Sequence, residues 1–273
     1  MDVPTVTLRG GIAAPQIGFG TWTLRGSVCE RAVRAALDNG YRHIDTAEMY
    51  QNEDAVGRAI NAVDRDALFL TSKVWPDHLH AHDVRRACEG SLSRLDTDYL
   101  DLYLIHWPNS SVPVEETIEA LQTLQDDGLV RAWGVSNFTR AHLEKARRYG
   151  TIATNQVELH PFFNQRDLAD YCDSIGLPIT AYRPLAKGRV NHDHVLSGIA
   201  LRHSRSPAQV ALRWITQHGH LAIPRTTNDA HMRENIGIFD FQLDGSEMAR
   251  IDALQQGERL VAIAGAEFDH AEP

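Results

Sequence analysis

The chain of 273 residues has only three cysteines, Cys29, Cys88 and Cys172, an odd number at wide spacings. Such a set does not suit a disulfide framework and favours free thiols in a reducing compartment. No stretch approaches the roughly 18 apolar residues that a membrane-spanning helix needs. Residues 1–4 also lack the basic flank and apolar stretch of a secretory signal peptide. We therefore expect a cytoplasmic protein with no membrane partner.

Positive charge is also scarce, since 27 lysines and arginines face 36 acidic residues and leave a formal net charge of −9. No run rich in lysine or arginine interrupts this balance. A nucleic-acid or anionic-membrane partner is therefore not expected, although a local basic pocket could still bind a phosphate group.

The sequence lacks the glycine-rich GxGxxG turn through which open, doubly wound sheets bind dinucleotides. The turn that is available, GFGTW at 18–22, does not have that spacing. Any nicotinamide cofactor must therefore be held in a different way.

Short apolar runs alternate with amphipathic stretches along the whole chain. The strand-like runs are 16–20, 41–45, 68–75, 99–107, 130–136, 152–158, 178–182 and 220–224. The helical candidates are 27–39, 52–63, 81–94, 114–126, 140–149, 165–175, 207–217 and 229–236. Eight alternating units of this length predict a closed (β/α)₈ TIM barrel, in one domain that spans 1–273.

Three segments fall outside the eight units. Residues 6–15 carry a glycine turn and predict a β-hairpin that plugs the bottom of the barrel. Residues 246–254 predict an additional helix, and residues 255–273 a short, irregular C-terminal tail.

Three neighbouring apolar runs end in polar side chains, which are Asp45, Lys73 and His106, and Tyr50 follows Asp45 by five residues. The carboxyl ends of barrel strands share one rim, where active sites lie. A lysine ammonium near the phenol lowers the phenol's pKa from its reference value of about 10. Asp45 would orient Lys73, and a neutral His106 could hydrogen-bond a substrate carbonyl. A lone charge at a strand end is most often a cap or an ion pair, but four such groups together predict proton transfer to a carbonyl oxygen.

The chain resembles the aldo-keto reductase superfamily over nearly its full length, in motifs that follow the family's order. These motifs are YRHIDTAEMY (41–50), TSKVW (71–75), DYLDLYLIHWP (98–108), GVSNF (134–138), NQVE (155–158), AYRPL (181–185), IPR (223–225) and EN (234–235). The short tail and ERLV at 258–261 are similar to the bacterial 2,5-diketo-D-gluconate reductase branch, especially its B type. Members of that branch also reduce methylglyoxal and other small aldehydes.

The resemblance implies reduction of aldehydes and ketones, such as methylglyoxal or diketo-sugar acids, by a monomer. NADPH is the implied cofactor and NADH a weaker alternative. Tyr50 would be the proton donor, with Asp45, Lys73 and His106 as its partners.

The same resemblance implies contacts along the whole cofactor. The nicotinamide end would lie against Ser136, Asn137, Gln156 and Tyr182, and the loop of Gly20, Thr21 and Trp22 would lie alongside the cofactor. The pyrophosphate would lie beneath Arg183, Leu185 and Lys187, and the adenosine end against Arg225, Thr226, His231, Glu234 and Asn235.

Three of these positions depart from the family's usual pattern. Arg183 stands where serine is common, Arg225 replaces lysine, and His231 replaces the arginine that faces the adenosine 2′-phosphate. Because histidine titrates near neutral pH, positive charge at position 231 is conditional. The strength of the preference for NADPH over NADH is therefore left open.

Four bulky apolar residues neighbour catalytic or cofactor positions. They are Trp22, Met49, Trp75 and Trp107. Core packing would explain any one of them, but together they predict an apolar substrate pocket.

His78, His80 and His82 alternate in one segment, as metal ligands might in an extended chain. No cysteine or carboxylate completes a structural zinc set, so we expect no metal there, and the same holds for His192 and His194. Two other functions stay open as alternatives. One is a cofactor-sensing binding module with slow turnover, and the other is a metal-dependent lyase or hydrolase, for which no ligand set is found at the strand ends.

Overall fold

A β-hairpin closes the bottom of the molecule, as predicted. The computed structural model describes residues 3–261, which begin with the antiparallel strands β1 (Thr5–Thr7) and β2 (Ala13–Pro15). Leu8 and Ala14 are fully buried and face the barrel interior. They pack with Phe69, Leu102, Leu104, Ala132, Ala153 and Leu221. The hairpin therefore supplies part of the barrel's inner core.

Eight further strands form the barrel. They are β3 (Phe19–Gly20), β4 (His43–Asp45), β5 (Phe69–Val74), β6 (Leu100–Ile105), β7 (Val130–Ser136), β8 (Asn155–Glu158), β9 (Ile179–Tyr182) and β10 (Leu221–Ile223). Each strand pairs in parallel with the next along the chain. The sheet closes where Ile17 bridges Ala222, with Gly18 N donating to Ala222 O at 2.9 Å. The (β/α)₈ barrel is thereby confirmed.

Ten α-helices lie among the described residues. They are α1 (Gly26–Asp38), α2 (Glu53–Ile60), α3 (Ala81–Leu95), α4 (Val114–Asp126), α5 (Arg140–Ala146), α6 (Arg166–Ser174), α7 (His194–His203), α8 (Pro207–Gln217), α9 (Asp229–Ile236) and α10 (Gly245–Asp252). Helix α8 begins with a capping box in which Ser206 Oγ accepts from Gln209 N at 3.3 Å, with proline at the first helical position. Helix α10 corresponds to the additional helix predicted at 246–254.

Helix α7 was not predicted. It starts after Asp193, whose carboxylate accepts the backbone N–H groups of Val195 and Leu196 at 2.9 Å each. Its centre contains Gly198, which weakens the helical signal in the sequence. Burial of Leu196 and Ile199 against the core offsets that weakness.

The main apolar layer lies between the strands and the surrounding helices, and Cys29, Cys88 and Cys172 are part of it. Burial raises the pKa of each thiol to about 12, so all three are protonated at neutral pH. None of the helices in residues 3–261 is long and apolar enough to cross a membrane. Of the tail predicted at 255–273, residues 262–273 lie outside the described part.

Candidate active site

Four side chains predicted from separate parts of the sequence meet at the carboxyl ends of the strands. Asp45 ends β4, Lys73 lies near the end of β5, and His106 directly follows β6. Tyr50 lies in a 3₁₀ turn after β4. Lys73 Nζ is 2.5 Å from Asp45 Oδ1 and 3.4 Å from Tyr50 OH. The ring of Tyr50 lies edge-on to that of His106, with 5.5 Å between centroids.

Lys73 is fully buried, and each of its three donor positions has an acceptor. Besides the oxygens of Asp45 and Tyr50, it donates to Thr46 O at 2.8 Å. Three acceptors around one nitrogen suit an ammonium group. Burial lowers the pKa of Lys73 from its ordinary value, and the carboxylate of Asp45 opposes that shift. Since the second oxygen of Asp45 accepts from Gln156 Nε2 at 2.8 Å, both ends of the ion pair are held.

The Tyr50 phenol is held in its neutral form. Burial raises the pKa of Tyr50 well above 10, and the negative charge of Asp45 adds to that rise. The charge of Arg183 acts in the opposite direction and is outweighed. The expectation from the sequence was a lowered pKa, and the direction is the opposite, because the low-polarity surroundings penalise the charged tyrosinate.

His106 is the neutral imidazole that the sequence predicted. Burial lowers its pKa well below 6.5, and the charge of Lys73 lowers it further. Its Nδ1 is buried and has no hydrogen-bond partner among residues 3–261. Asn137 Nδ2 donates to its backbone oxygen at 2.9 Å, which fixes the chain at this point.

Aromatic rings line one side of these groups. The ring centroids of Trp22 and Tyr50 are 4.8 Å apart. Trp75 lies edge-on to His106, with 5.2 Å between their ring centroids. Trp22 is 37% exposed, so this side is open to solvent. Trp107 is buried and Met49 half-buried. The predicted pocket residues Trp22 and Trp75 thus lie beside the proposed proton donor and the imidazole.

The residues expected at the nicotinamide end form a connected network. Ser136 Oγ donates to Gln156 O at 2.7 Å, and Asn137 Nδ2 donates to Ser136 Oγ at 3.0 Å. Tyr182 OH donates to Asn137 Oδ1 at 2.8 Å, which fixes the half-buried Tyr182 ring at the end of β9. The chain at Asn137 has a φ of 62°, a conformation that this network supports. Gly20, Thr21 and Trp22 lie at the neighbouring end of β3, on the same rim.

The residues expected at the phosphate end include exposed cations. Lys187 and Arg225 are exposed, and among residues 3–261 neither has a carboxylate partner. Arg225 follows β10 and lies beside Gly20, where an added Cβ would be 3.0 Å from Ile223 O and 3.9 Å from Arg225 Cβ. These charges, together with the exposed His231, fit an anionic dinucleotide.

The remaining predicted contacts lie in the same segments of the chain as Lys187, Arg225 and His231. Leu185 is half-buried in the loop after β9, Thr226 follows β10, and Glu234 and Asn235 lie in α9.

Arg183 and Glu158 hold the C-terminal segment, a role that the sequence did not predict. Arg183 Nη1 donates to Leu260 O at 3.1 Å. The fully buried carboxylate of Glu158 accepts from Leu260 N at 2.7 Å and from Val261 N at 2.9 Å. It also contacts His160 Nε2 at 3.1 Å. An acidic residue at the end of a buried strand, β8, is the sequence feature that could have indicated this contact. Its partners lie about a hundred residues further along the chain, so the sequence does not identify them.

The alternating histidines do not share a face. His78 contacts Glu48 at 3.1 Å, His80 contacts Glu116 at 3.2 Å, and His82 lies 3.7 Å from Asp83. In the part of the chain that the structure describes, no group of three or more histidines, cysteines or acids could hold a metal ion.

Comparison with known proteins agrees with this geometry. The aldo/keto reductase family model matches residues 16–256. Glyoxal reductase from Bacillus subtilis is 44% identical over 261 residues, which are 94% of each protein. Methylglyoxal reductase DkgB from Escherichia coli O157:H7 is 41% identical and covers 93% of this chain and 98% of its own.

Solved structures show the same relationship. The crystal structure of an aldo/keto reductase from Brucella melitensis superimposes with a TM-score of 0.90 at 41% identity. The match covers 93% of this chain and 99% of that one. The chain belongs to the aldo/keto reductase family.

Proposed function

We propose that this protein uses NADPH to reduce the carbonyl groups of small aldehydes and ketones to alcohols. One observation carries the proposal: the buried contacts of Lys73 with Asp45 and Tyr50, at 2.5 and 3.4 Å, directly beside a neutral His106. A carbonyl oxygen between the phenol and the imidazole would meet a proton donor and a hydrogen-bond donor together.

Tyr50 is the proton donor in this proposal. Its raised pKa keeps the phenol protonated throughout the neutral range, so the proton is present when negative charge develops on the substrate oxygen. An alkoxide is far more basic than a phenolate, so a neutral phenol can protonate it. Lys73, 3.4 Å from the phenol oxygen, stabilises the tyrosinate that is left, and Asp45 keeps Lys73 oriented.

His106 orients the substrate. A buried N–H group without an acceptor is costlier than a bare ring nitrogen, so the unpartnered Nδ1 favours the tautomer with its proton on Nε2. That proton is then available for the substrate's carbonyl oxygen. Because the ring stays neutral, it holds the oxygen without competing with Tyr50 as an acid.

The residues of the rim fit a nicotinamide dinucleotide, which when bound supplies the hydride for the carbonyl carbon. Tyr182 offers its half-buried ring to the nicotinamide, next to the network of Ser136, Asn137 and Gln156. Lys187 lies where the pyrophosphate is expected. Arg225 offers a permanent charge to an adenosine 2′-phosphate, which supports NADPH over NADH.

The substrate class is inferred from the pocket and the relatives. Two relatives are named as reductases of glyoxal and methylglyoxal, both small dicarbonyls. The half-open wall formed by Trp22 and Trp75 is compatible with such molecules. Diketo-sugar acids are the second group of candidates.

A panel of carbonyl compounds, assayed by the loss of reduced-cofactor absorbance with NADPH and with NADH, tests the proposal. We expect turnover of methylglyoxal or a related aldehyde, faster with NADPH at subsaturating cofactor. The alternative, a cofactor-sensing module, predicts tight NADPH binding with no appreciable turnover of any carbonyl. That outcome would overturn the enzymatic proposal.

A further inference from the structure

The 3₁₀ turn that carries Tyr50 is too short to hold its own position. It spans only Glu48–Tyr50, and Tyr50 N donates to Ala47 O at 3.0 Å. The following residue, Gln51, has a left-handed φ of 51°, which is unfavourable for a residue other than glycine. The position of the phenol therefore depends on contacts from outside the turn.

Asn52 supplies those contacts on one side. Its side chain is fully buried and accepts from Thr46 Oγ1 at 2.8 Å. Its Nδ2 donates to Thr21 O at 3.0 Å and to Leu24 O at 2.9 Å. This side of the turn is thereby joined to the loop after β3.

Glu48 supplies the contacts on the other side. Its Oε1 accepts the backbone N–H of Trp75 in a short hydrogen bond and contacts His78 Nδ1 at 3.1 Å. The side chain is only 11% exposed. Because Trp75 also lies edge-on to His106 at 5.2 Å, one carboxylate connects the Tyr50 turn to the segment that packs against the imidazole.

We propose that Glu48 is a positioning residue, which holds the Tyr50 turn against the Trp75 segment so that Tyr50 and His106 face the same substrate oxygen. This rests on the proposed carbonyl reduction. The role is geometric, since the Glu48 carboxylate contacts the backbone of Trp75 and the ring of His78.

Geometry and charge can be separated by three substitutions. Glu48→Gln keeps an oxygen for Trp75 N–H and removes the charge. Glu48→Asp keeps the charge but is shorter by one methylene, and Glu48→Ala removes both. A positioning role predicts kcat within about threefold of wild type for Gln. It predicts that kcat falls by about 10²-fold in Glu48→Ala, because a small displacement of the reacting groups slows the reaction by about that factor. The kcat of Glu48→Asp should lie between those of the other two variants.

Glu116 offers a matched control. Its Oε1 accepts from Ala81 N at 2.9 Å and lies 3.2 Å from His80 Nδ1, so it makes the same kinds of contact outside the candidate active site. Glu116→Ala should leave kcat at the wild-type value. Equal losses in Glu48→Ala and Glu116→Ala would reveal a general loss of stability and overturn the proposal.

Two readouts do not depend on turnover. Hydrogen exchange of the Trp75 amide should be about tenfold faster in Glu48→Ala, because its acceptor is gone. NADPH affinity, measured by tryptophan fluorescence, should stay within about twofold, since the cofactor contacts are elsewhere. Unchanged exchange at Trp75, or a Gln variant as slow as the Ala variant, would overturn the positioning role. A wild-type protein that reduces no carbonyl would instead overturn the proposed function, before any variant is compared.

Discussion

Gln156 Nε2 donates to Asp45 Oδ2 at 2.8 Å, although 111 residues separate the two in the chain. The sequence placed Gln156 among the cofactor contacts and Asp45 among the catalytic groups. The bond joins these two sets across the barrel, between β8 and β4. Both oxygens of the buried Asp45 carboxylate therefore accept a hydrogen bond, one from Gln156 and the other from Lys73.

Lys73→Met should destabilise the protein as well as inactivate it. Removing one partner of a buried ion pair leaves an uncompensated charge and costs about 3–5 kcal/mol. We expect a loss of that order in the free energy of unfolding, measured by urea denaturation. The double variant Asp45→Asn/Lys73→Met should recover part of it. Equal stabilities of wild type and Lys73→Met would mean that Asp45 is not charged in the fold.

Glu158→Gln should loosen the C-terminal segment. The hydrogen bonds to a charged acceptor from Leu260 N and Val261 N are worth about 1.5–3 kcal/mol each. They go to different oxygens of the carboxylate, and an amide has an oxygen at only one of those two positions. We expect hydrogen exchange at 260–261 to rise about tenfold or more. Glu258→Gln is the control, since it removes only an exposed contact with Arg189 and should change exchange there little.

The same carboxylate gives a pH dependence. Burial opposes ionisation of Glu158, but hydrogen bonds from His160 and from the two backbone amides hold its pKa below 4.5. Its contribution to stability is therefore complete above that pH and is lost as the pH falls below it. Protection from exchange at 260–261, relative to the unfolded chain at the same pH, should fall only in that acidic range, and a fall already at pH 6 would contradict the assignment.

His220 should make the fold less stable in mild acid. Burial, together with the charge of His218, lowers the pKa of His220 from 6.5 to about 4. As the pH falls below 6.5 the unfolded chain takes up a proton that the folded chain refuses. Stability is lost by about 1.4 kcal/mol per pH unit down to pH 4, or about 3 kcal/mol in all. His220→Asn should remove this part of the pH dependence of the free energy of unfolding, measured by urea denaturation at each pH. Substitution of the exposed His82 should leave it in place.

Arg225→Ala should erase most of the discrimination between NADPH and NADH. A charge-assisted bond to the 2′-phosphate is among the stronger hydrogen bonds, and Arg225 can supply two. We expect the dissociation constant for NADPH to rise about tenfold or more, while that for NADH changes little. His231→Arg should strengthen NADPH binding. If Arg225→Ala left the preference unchanged, the phosphate would be held elsewhere.

The barrel was predictable because the apolar runs and amphipathic stretches repeat with the period of a β/α unit. All eight predicted strands are present, and the shared rim brings Asp45, Lys73 and His106 together. Contacts that depend on packing over long distances were not predictable. Burial reversed the expected direction of the Tyr50 pKa, and Arg183 turned out to contact Leu260 O. No local pattern in the sequence indicates either result.

The central claim is that Tyr50 gives its proton to the substrate oxygen, and Tyr50→Phe tests it most directly. The substitution removes the phenolic hydroxyl and keeps the ring that packs against Trp22 and His106. We predict that kcat for methylglyoxal reduction falls by about 10²–10⁴-fold, the usual contribution of a general acid. NADPH affinity by tryptophan fluorescence should stay within about threefold of wild type. A Tyr50→Phe protein that reduces methylglyoxal at a rate within about threefold of wild type would contradict the account.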